Sequence, residues 1–186
     1  MQFVPSIIPD VVVIEPKVFG DDRGYFFESF RRDIFQNHIA GVEFVQDNES
    51  RSGFGVLRGL HYQLPPFAQS KLVRVVNGQV MDVSVDIRRG SPTFGMHVAM
   101  VLSGDNKRQV FIPRGFAHGF VVLSDEAVFQ YKVDHFYAPE YDRAIAFDDP
   151  ALGIDWKLAR DQLVLAGKDL NNPLLKDAEV FEYGKA

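Results

Sequence analysis

The sequence predicts an all-β domain, a sandwich or closed barrel with a few short helices, on three observations. Runs in which apolar and polar residues alternate recur along most of the chain. Gly, Pro and Asn punctuate those runs at short intervals. The 186 residues, 46% hydrophobic and 24% charged, suit one domain with a real core. Residues 1–186 are therefore read as a single domain.

The first strand is expected over VVVIEP (11–16), where Val and Ile crowd between two prolines. The apolar spacing in FRRDIFQNHI (30–39) fits a helix. EFVQDNES (43–50), VLRGLHYQ (56–63), KLVRVV (71–76) and QVMDVSVDIR (79–88) follow as strands. HVAMVL (97–102), RQVFIP (108–113), HGFVVL (118–123), AVFQYKVDHFY (127–137) and RAIAFDD (143–149) complete the set. Short helical turns are expected around 158–163, and the last 25 or so residues read as loosely organised. No repeat, linker or low-complexity tract divides the chain.

Composition excludes several classes of function. Net charge is −5 and pI about 5.5, which argues against nucleic acid, since phosphate-backbone binding needs a basic face. There is no cysteine, hence no disulfide, thiol nucleophile or cysteine-based zinc site. The N-terminus is broken by Pro5, Pro9 and Pro16 and has no basic leader, so no signal peptide is expected. No apolar run approaches the ~18 residues a membrane helix needs. Asn48-Glu49-Ser50 matches a glycosylation sequon that is read as chance.

Asn77-Gly78 between two alternating runs predicts a two-residue hairpin. Such a turn would pair Val73 with Asp82 and Lys71 with Ser84. Alternation puts Lys71, Val73 and Val75 on one face with Val80, Asp82, Ser84 and Asp86. Leu72, Arg74, Val76, Met81, Val83, Val85 and Ile87 fall on the other, which is mostly apolar. Two readings fit the polar face: it meets water, or it lines a barrel lumen around a small ligand.

Several residues carry chemistry if that lumen exists. His61 is a structural histidine or a general base. As a base it needs an orienting carboxylate, which its neighbours in sequence do not supply. Arg58 and His61 have opposite parity, so a regular strand would split them between faces. Gly59 between them suits a bulge that re-aims one. Tyr131 is a core aromatic or, in a polar lumen, a proton donor. Arg23, Phe26 and Glu28 suit a flat aromatic or anionic ligand, and equally an exposed strand.

FIPRGFAHGF (111–120), with Pro113, Gly115 and His118, resembles the second half of the cupin signature. Metal cupins add an earlier His-x-His and a glutamate. Here that place reads His61-Tyr62-Gln63, and the histidines are scattered at 38, 61, 97, 118 and 135. An open catalytic metal site takes about three protein ligands, so no metal is expected. No GxGxxG or P-loop pattern is present.

Taken together, DDRGYFFESF, QDNESRSGFGVLRGLHYQ, PPFAQSKLVRVVNGQVMDVSVDIRRGSPTFG, FIPRGFAHGFVVLSD, QYKVDHFYAPEYDRAIAFDDPALGIDW and LAGKD resemble the dTDP-4-dehydrorhamnose 3,5-epimerase family. The segments run in order from about 20 to 169. Phe147 stands where a tryptophan is expected, and the KDLNNPLL after LAG is unusual.

The resemblance implies a cupin-type double-stranded β-helix, or jelly roll, that is cytoplasmic and works without metal or nicotinamide cofactor. The implied partner is a second copy of the chain, with the stretch around 23–28 shared across subunits. The implied substrate is dTDP-4-dehydro-6-deoxy-D-glucose, epimerised at C3 and C5 to dTDP-4-dehydro-L-rhamnose for cell-surface polysaccharide. By similarity His61 is the base and Asp169 the carboxylate that orients it. Lys71 stabilises the oxyanion at O4, and Tyr131 reprotonates from the opposite face.

Asp82 is expected to position Lys71 or His61, and His118 to line the sugar pocket. Arg58 and Arg23 are expected on the diphosphate and Phe26 on the thymine. Glu28, Gln46, Asn48, Ser50 and Tyr137 are expected nearby. On this reading the polar face of 71–88 looks inward, and the apolar face packs on the second sheet. Related single-site epimerases, a ligand-binding cupin without activity and a metal-dependent cupin are the competing readings.

Overall fold

The computed structural model describes residues 1–184. Its elements, in chain order, are β1 (Gln2–Pro5), β2 (Val12–Glu15), β3 (Phe19–Asp21), β4 (Gly24–Phe26), α1 (Arg32–His38), β5 (Gln46–Gly53) and β6 (Val56–Gln63). Then follow β7 (Lys71–Asn77), β8 (Gln79–Asp86), β9 (Arg88–Arg89), β10 (His97–Ser103), β11 (Gln109–Ile112), β12 (Phe116–Val122) and β13 (Glu126–Val133). The chain ends with β14 (Asp142–Ala144), β15 (Val164–Leu165) and β16 (Phe181–Glu182), spaced by short 3-10 turns.

Two sheets face each other. One has the order β1-β2-β11-β7-β13-β5; the other runs β10-β8-β12-β6-β14, with β15 added beside β6. This is the cupin-like jelly roll that the sequence predicts. The expected strands recur with shifted ends. The run expected over 127–137 stops at Val133, because Asp134 turns aside to accept the Ser70 N–H at 2.6 Å. The last strand expected over 143–149 shortens to Asp142–Ala144.

The Asn77-Gly78 hairpin does not form. β7 pairs with β11 and β13, so Val73 opposes Val110 and Tyr131, and Lys71 opposes Ile112 and Val133. β8 pairs with β10 and β12 in the other sheet, and Asp82 opposes Met100 and Phe120. Gly78 has φ +78°, and any Cβ there would collide with the Glu126 carbonyl. The local turn signal is real, but it serves a corner between sheets.

The alternation of faces survives this correction. Val73 and Val75 from one sheet and Val80 from the other meet Val110, Phe120 and Phe129 in the core between the sheets. Lys71 and Asp82 continue the same faces toward the open end. The opposite faces do not meet the second sheet, as expected from the sequence, but point outward and acquire their own covers. Met81, Val83, Val85 and Ile87 are covered by Leu152, Trp156, Leu175 and Phe181. Leu72 and Phe111 are covered by Phe35 of α1.

The C-terminal stretch is therefore a built layer rather than a loose tail. Leu175 and Phe181 are buried, worth roughly 1.5–3 kcal/mol per side chain. Tyr62 donates its hydroxyl to the Glu179 carbonyl at 2.6 Å, and the Leu175 N–H donates to Asp149 at 2.7 Å. β16 lies parallel to β9. That layer brings Asp169 to the mouth of the sandwich.

Candidate active site

A cavity of about 540 Å³ opens between the sheets. Arg58 and His61 enter it from β6, His118 from β12, Lys71 from β7, Tyr131 from β13, and Asn48 and Ser50 from β5. Lys168 and Asp169 reach it from the 3-10 turn Gly167–Asp169.

Arg58 and His61 share the cavity because β6 carries a bulge. His118 pairs with His61 and Phe120 with Arg58, so three steps on β6 match two on β12. Gly59 makes this possible. Its φ is +142°, and a Cβ would sit 2.5 Å from the Gly119 Cα. Two glycines thus let the strands approach closely where the parity is broken.

His61 Nε2 lies 2.6 Å from Asp169 Oδ1. With its N–H donating to that carboxylate, the neutral ring keeps its lone pair on Nδ1. Asp169 is almost fully buried, and its backbone N–H donates to the Ala166 carbonyl, which fixes the turn.

Lys71 Nζ donates only a long 3.4 Å bond to the His61 carbonyl. Among the described residues no carboxylate comes within ion-pair distance of it. Desolvation pulls its pKa down to about 8, against the opposing pull of Asp142 and Asp82. Burial also pushes the Tyr131 hydroxyl up; Arg58 lowers it, and Asp142 and Tyr137 raise it further. Tyr131 is thus held in the protonated form.

Asp82 does not hydrogen-bond to Lys71 or His61 as expected. Its Oδ2 lies 2.8 Å from His118 Nε2, and both side chains are buried. The His118 ring stacks near Phe129, with centroids 6.0 Å apart. Phe120 stands between Asp82 and the bulge, so the aspartate reaches the nearer histidine, and it acts on Lys71 only through its field.

Other expected residues stand apart from this cavity within the chain. Arg23 is 89% exposed at its side chain and pairs with Asp21 on the β3–β4 hairpin. Phe26 on the same hairpin is 67% exposed. Glu28 faces Arg31 at 3.7 Å. Gln46 donates its side-chain amide to Asn48 at 2.8 Å, on the same face of β5 but outside the cavity lining. Tyr137 is exposed beyond the end of β13 and donates to Asp142 Oδ2 at 3.3 Å.

Two contributors escaped the sequence reading. Lys168 lines the mouth next to Asp169, and Asp142 supplies negative charge to Lys71, Tyr131 and Tyr137. Both lie where periodicity carries little information. Among the described residues no group of three His, Cys, Asp or Glu gathers as metal ligands. No described helix is long and apolar enough to cross a membrane.

A jelly roll with a histidine–carboxylate pair, a lysine and a protonated tyrosine around one small-molecule cavity defines the class: a cupin-type acid–base isomerase. The model of the dTDP-4-dehydrorhamnose 3,5-epimerase family matches residues 5–177. The chain belongs to that family.

A dTDP-4-dehydrorhamnose 3,5-epimerase of Pseudomonas aeruginosa is 57% identical over 97% of this chain and 99% of its own. A crystal structure of the Legionella pneumophila 3,5-epimerase in complex with dTDP-4-keto-L-rhamnose is similar at TM-score 0.94. It is 48% identical, with 98% of each chain covered. A 3'-monoepimerase of Streptomyces bikiniensis, in complex with dTDP-quinovose, is similar at TM-score 0.88 and 33% identity, covering 96% of this chain and 92% of its own.

Proposed function

We propose that this chain epimerises dTDP-4-dehydro-6-deoxy-D-glucose at C3 and C5 by proton transfer alpha to the C4 ketone, giving dTDP-4-dehydro-L-rhamnose. The ketone acidifies both C–H bonds, so catalysis needs a base, a charge at O4 and an acid on the opposite face. His61 Nδ1 is the base, oriented through Nε2 by Asp169. Lys71, in its ammonium form, meets the developing enolate oxygen. Tyr131 returns a proton.

The observation that carries this reading is the placement of base and acid on facing walls. His61 stands on β6 of one sheet and Tyr131 on β13 of the other. A proton removed toward one sheet and delivered from the other inverts the carbon between them.

Arg58 and Lys168 at the mouth supply local positive charge for a diphosphate on an acidic protein. Asn48, Ser50 and His118 hold the sugar and nucleotide. Arg23, Phe26 and Glu28, exposed on or near the β3–β4 hairpin, serve a second copy of the chain, with Gln46 and Tyr137 beside the nucleotide it completes. The working form is a homodimer in the cytoplasm that uses neither metal nor nicotinamide.

The similar 3'-monoepimerase fold makes single-site epimerisation the second reading. His61→Ala tests the base. Turnover is expected to be lost while dTDP still binds by calorimetry, and an active variant would remove His61 from that role.

A further inference from the structure

Lys71 differs from four other described lysines. Lys132 and Lys157 are paired to Asp47 and Asp155, and Lys17 and Lys107 lie over the rings of Phe19 and Tyr25. Lys71 instead projects into the cavity between the sheets, with no carboxylate in ion-pair contact among the described residues and only the 3.4 Å bond to a carbonyl. The same cavity carries Arg58 and Lys168, which have no carboxylate in ion-pair contact among the described residues. An unpaired amine and two unpaired cations around one space of about 540 Å³ are the elements of a covalent trap.

We propose that Lys71 is a carbonyl-capture site, at which a small aldehyde bearing a phosphate condenses to an imine. Arg58 and Lys168 hold the phosphate by charge-assisted hydrogen bonds. The Lys71 ammonium first gives a proton to water. The Nζ lone pair then adds to the aldehyde carbon, and the carbinolamine loses water to leave a C=N bond. Desolvation, which brings this lysine to about 8, makes the neutral amine abundant at a pH where a solvated lysine is almost wholly protonated. The inference stands on the cavity and its cations; only the dTDP arm of its test rests on the epimerase reading.

Pyridoxal 5'-phosphate is the probe. The full chain is incubated with it near pH 8, and borohydride then delivers hydride to the imine carbon while water protonates the nitrogen. Peptide mapping should find the reduced adduct on Lys71, formed about ten-fold or more faster than on the exposed lysines. dTDP should suppress it, since its diphosphate competes for Arg58. Lys71→Arg should leave dTDP binding measurable and abolish the fast phase of labelling. Adducts spread over exposed lysines, or confined to Lys168 with Lys71 unmodified, would overturn the proposal. So would fast labelling of Lys71 that pyridoxal without phosphate reproduces at the same rate, because the cations would then play no part.

Discussion

Asp169 Oδ1 lies 2.6 Å from His61 Nε2, across 108 residues of chain. The pair exists because the C-terminal layer packs on the outer face of the β8 sheet and returns a 3-10 turn to the cavity mouth. A histidine on the sandwich wall is thus held by a carboxylate that belongs to its cover.

Asp169→Asn should keep the fold and the hydrogen-bonding shape but lose the charge that fixes the His61 tautomer. An oriented general base is worth roughly 10²–10⁴-fold. We expect kcat to fall within that range with dTDP affinity unchanged, read by steady-state kinetics and calorimetry. An unchanged kcat would mean that Asp169 only braces the turn.

Tyr131→Phe removes a proton donor without opening a void. Deprotonation by His61 would continue, so solvent exchange at a C–H should persist while formation of at least one inverted centre slows. The two rates are read separately from deuterium incorporation and product formation. Equal, unaltered rates at both centres would take Tyr131 out of the acid role.

Lys71 sets a pH limit. In the proposed mechanism its ammonium form is required at O4, and desolvation brings its pKa down to about 8. kcat/KM should therefore fall as pH rises through about 8, about ten-fold per unit beyond it. In Lys71→Arg that limb should vanish, since a guanidinium stays charged. The same shift acts on stability with the opposite sense. Between about 8 and the ordinary lysine range the unfolded chain binds more protons, so this group's contribution to stability rises with pH. An alkaline limb that remains in the arginine variant would assign it to another group.

Much of the fold was legible because alternation is a property of neighbouring residues. It placed Lys71, Val73 and Val75 on one face and Leu72 on the other, and both placements hold. Pairing is a long-range property, and there the Asn77-Gly78 signal misled. Gly78 serves a corner, and β7 found β11 and β13 instead of β8. The covers over the outer faces were invisible for the same reason. Nothing in the residues around Leu175 or Phe181 names the strand that they will bury.

In the site, Gly59 hinted at the bulge that joins Arg58 to His61, because a glycine within a strand marks a close approach. Asp169 was reachable only through family resemblance, since a carboxylate in a loop has no periodicity. Asp82 does not line the cavity itself; it lies buried behind it, bonded to His118. Strand parity gives its face, while the 2.8 Å bond to His118 depends on how β8 and β12 register.

The central claim is proton transfer at both carbons flanking the ketone. Proton NMR of dTDP-4-dehydro-6-deoxy-D-glucose incubated with the protein in D₂O tests it most directly. Deuterium entering at C3 and at C5 is the predicted result. Exchange at one carbon alone, or none with folded protein and verified substrate, would contradict it.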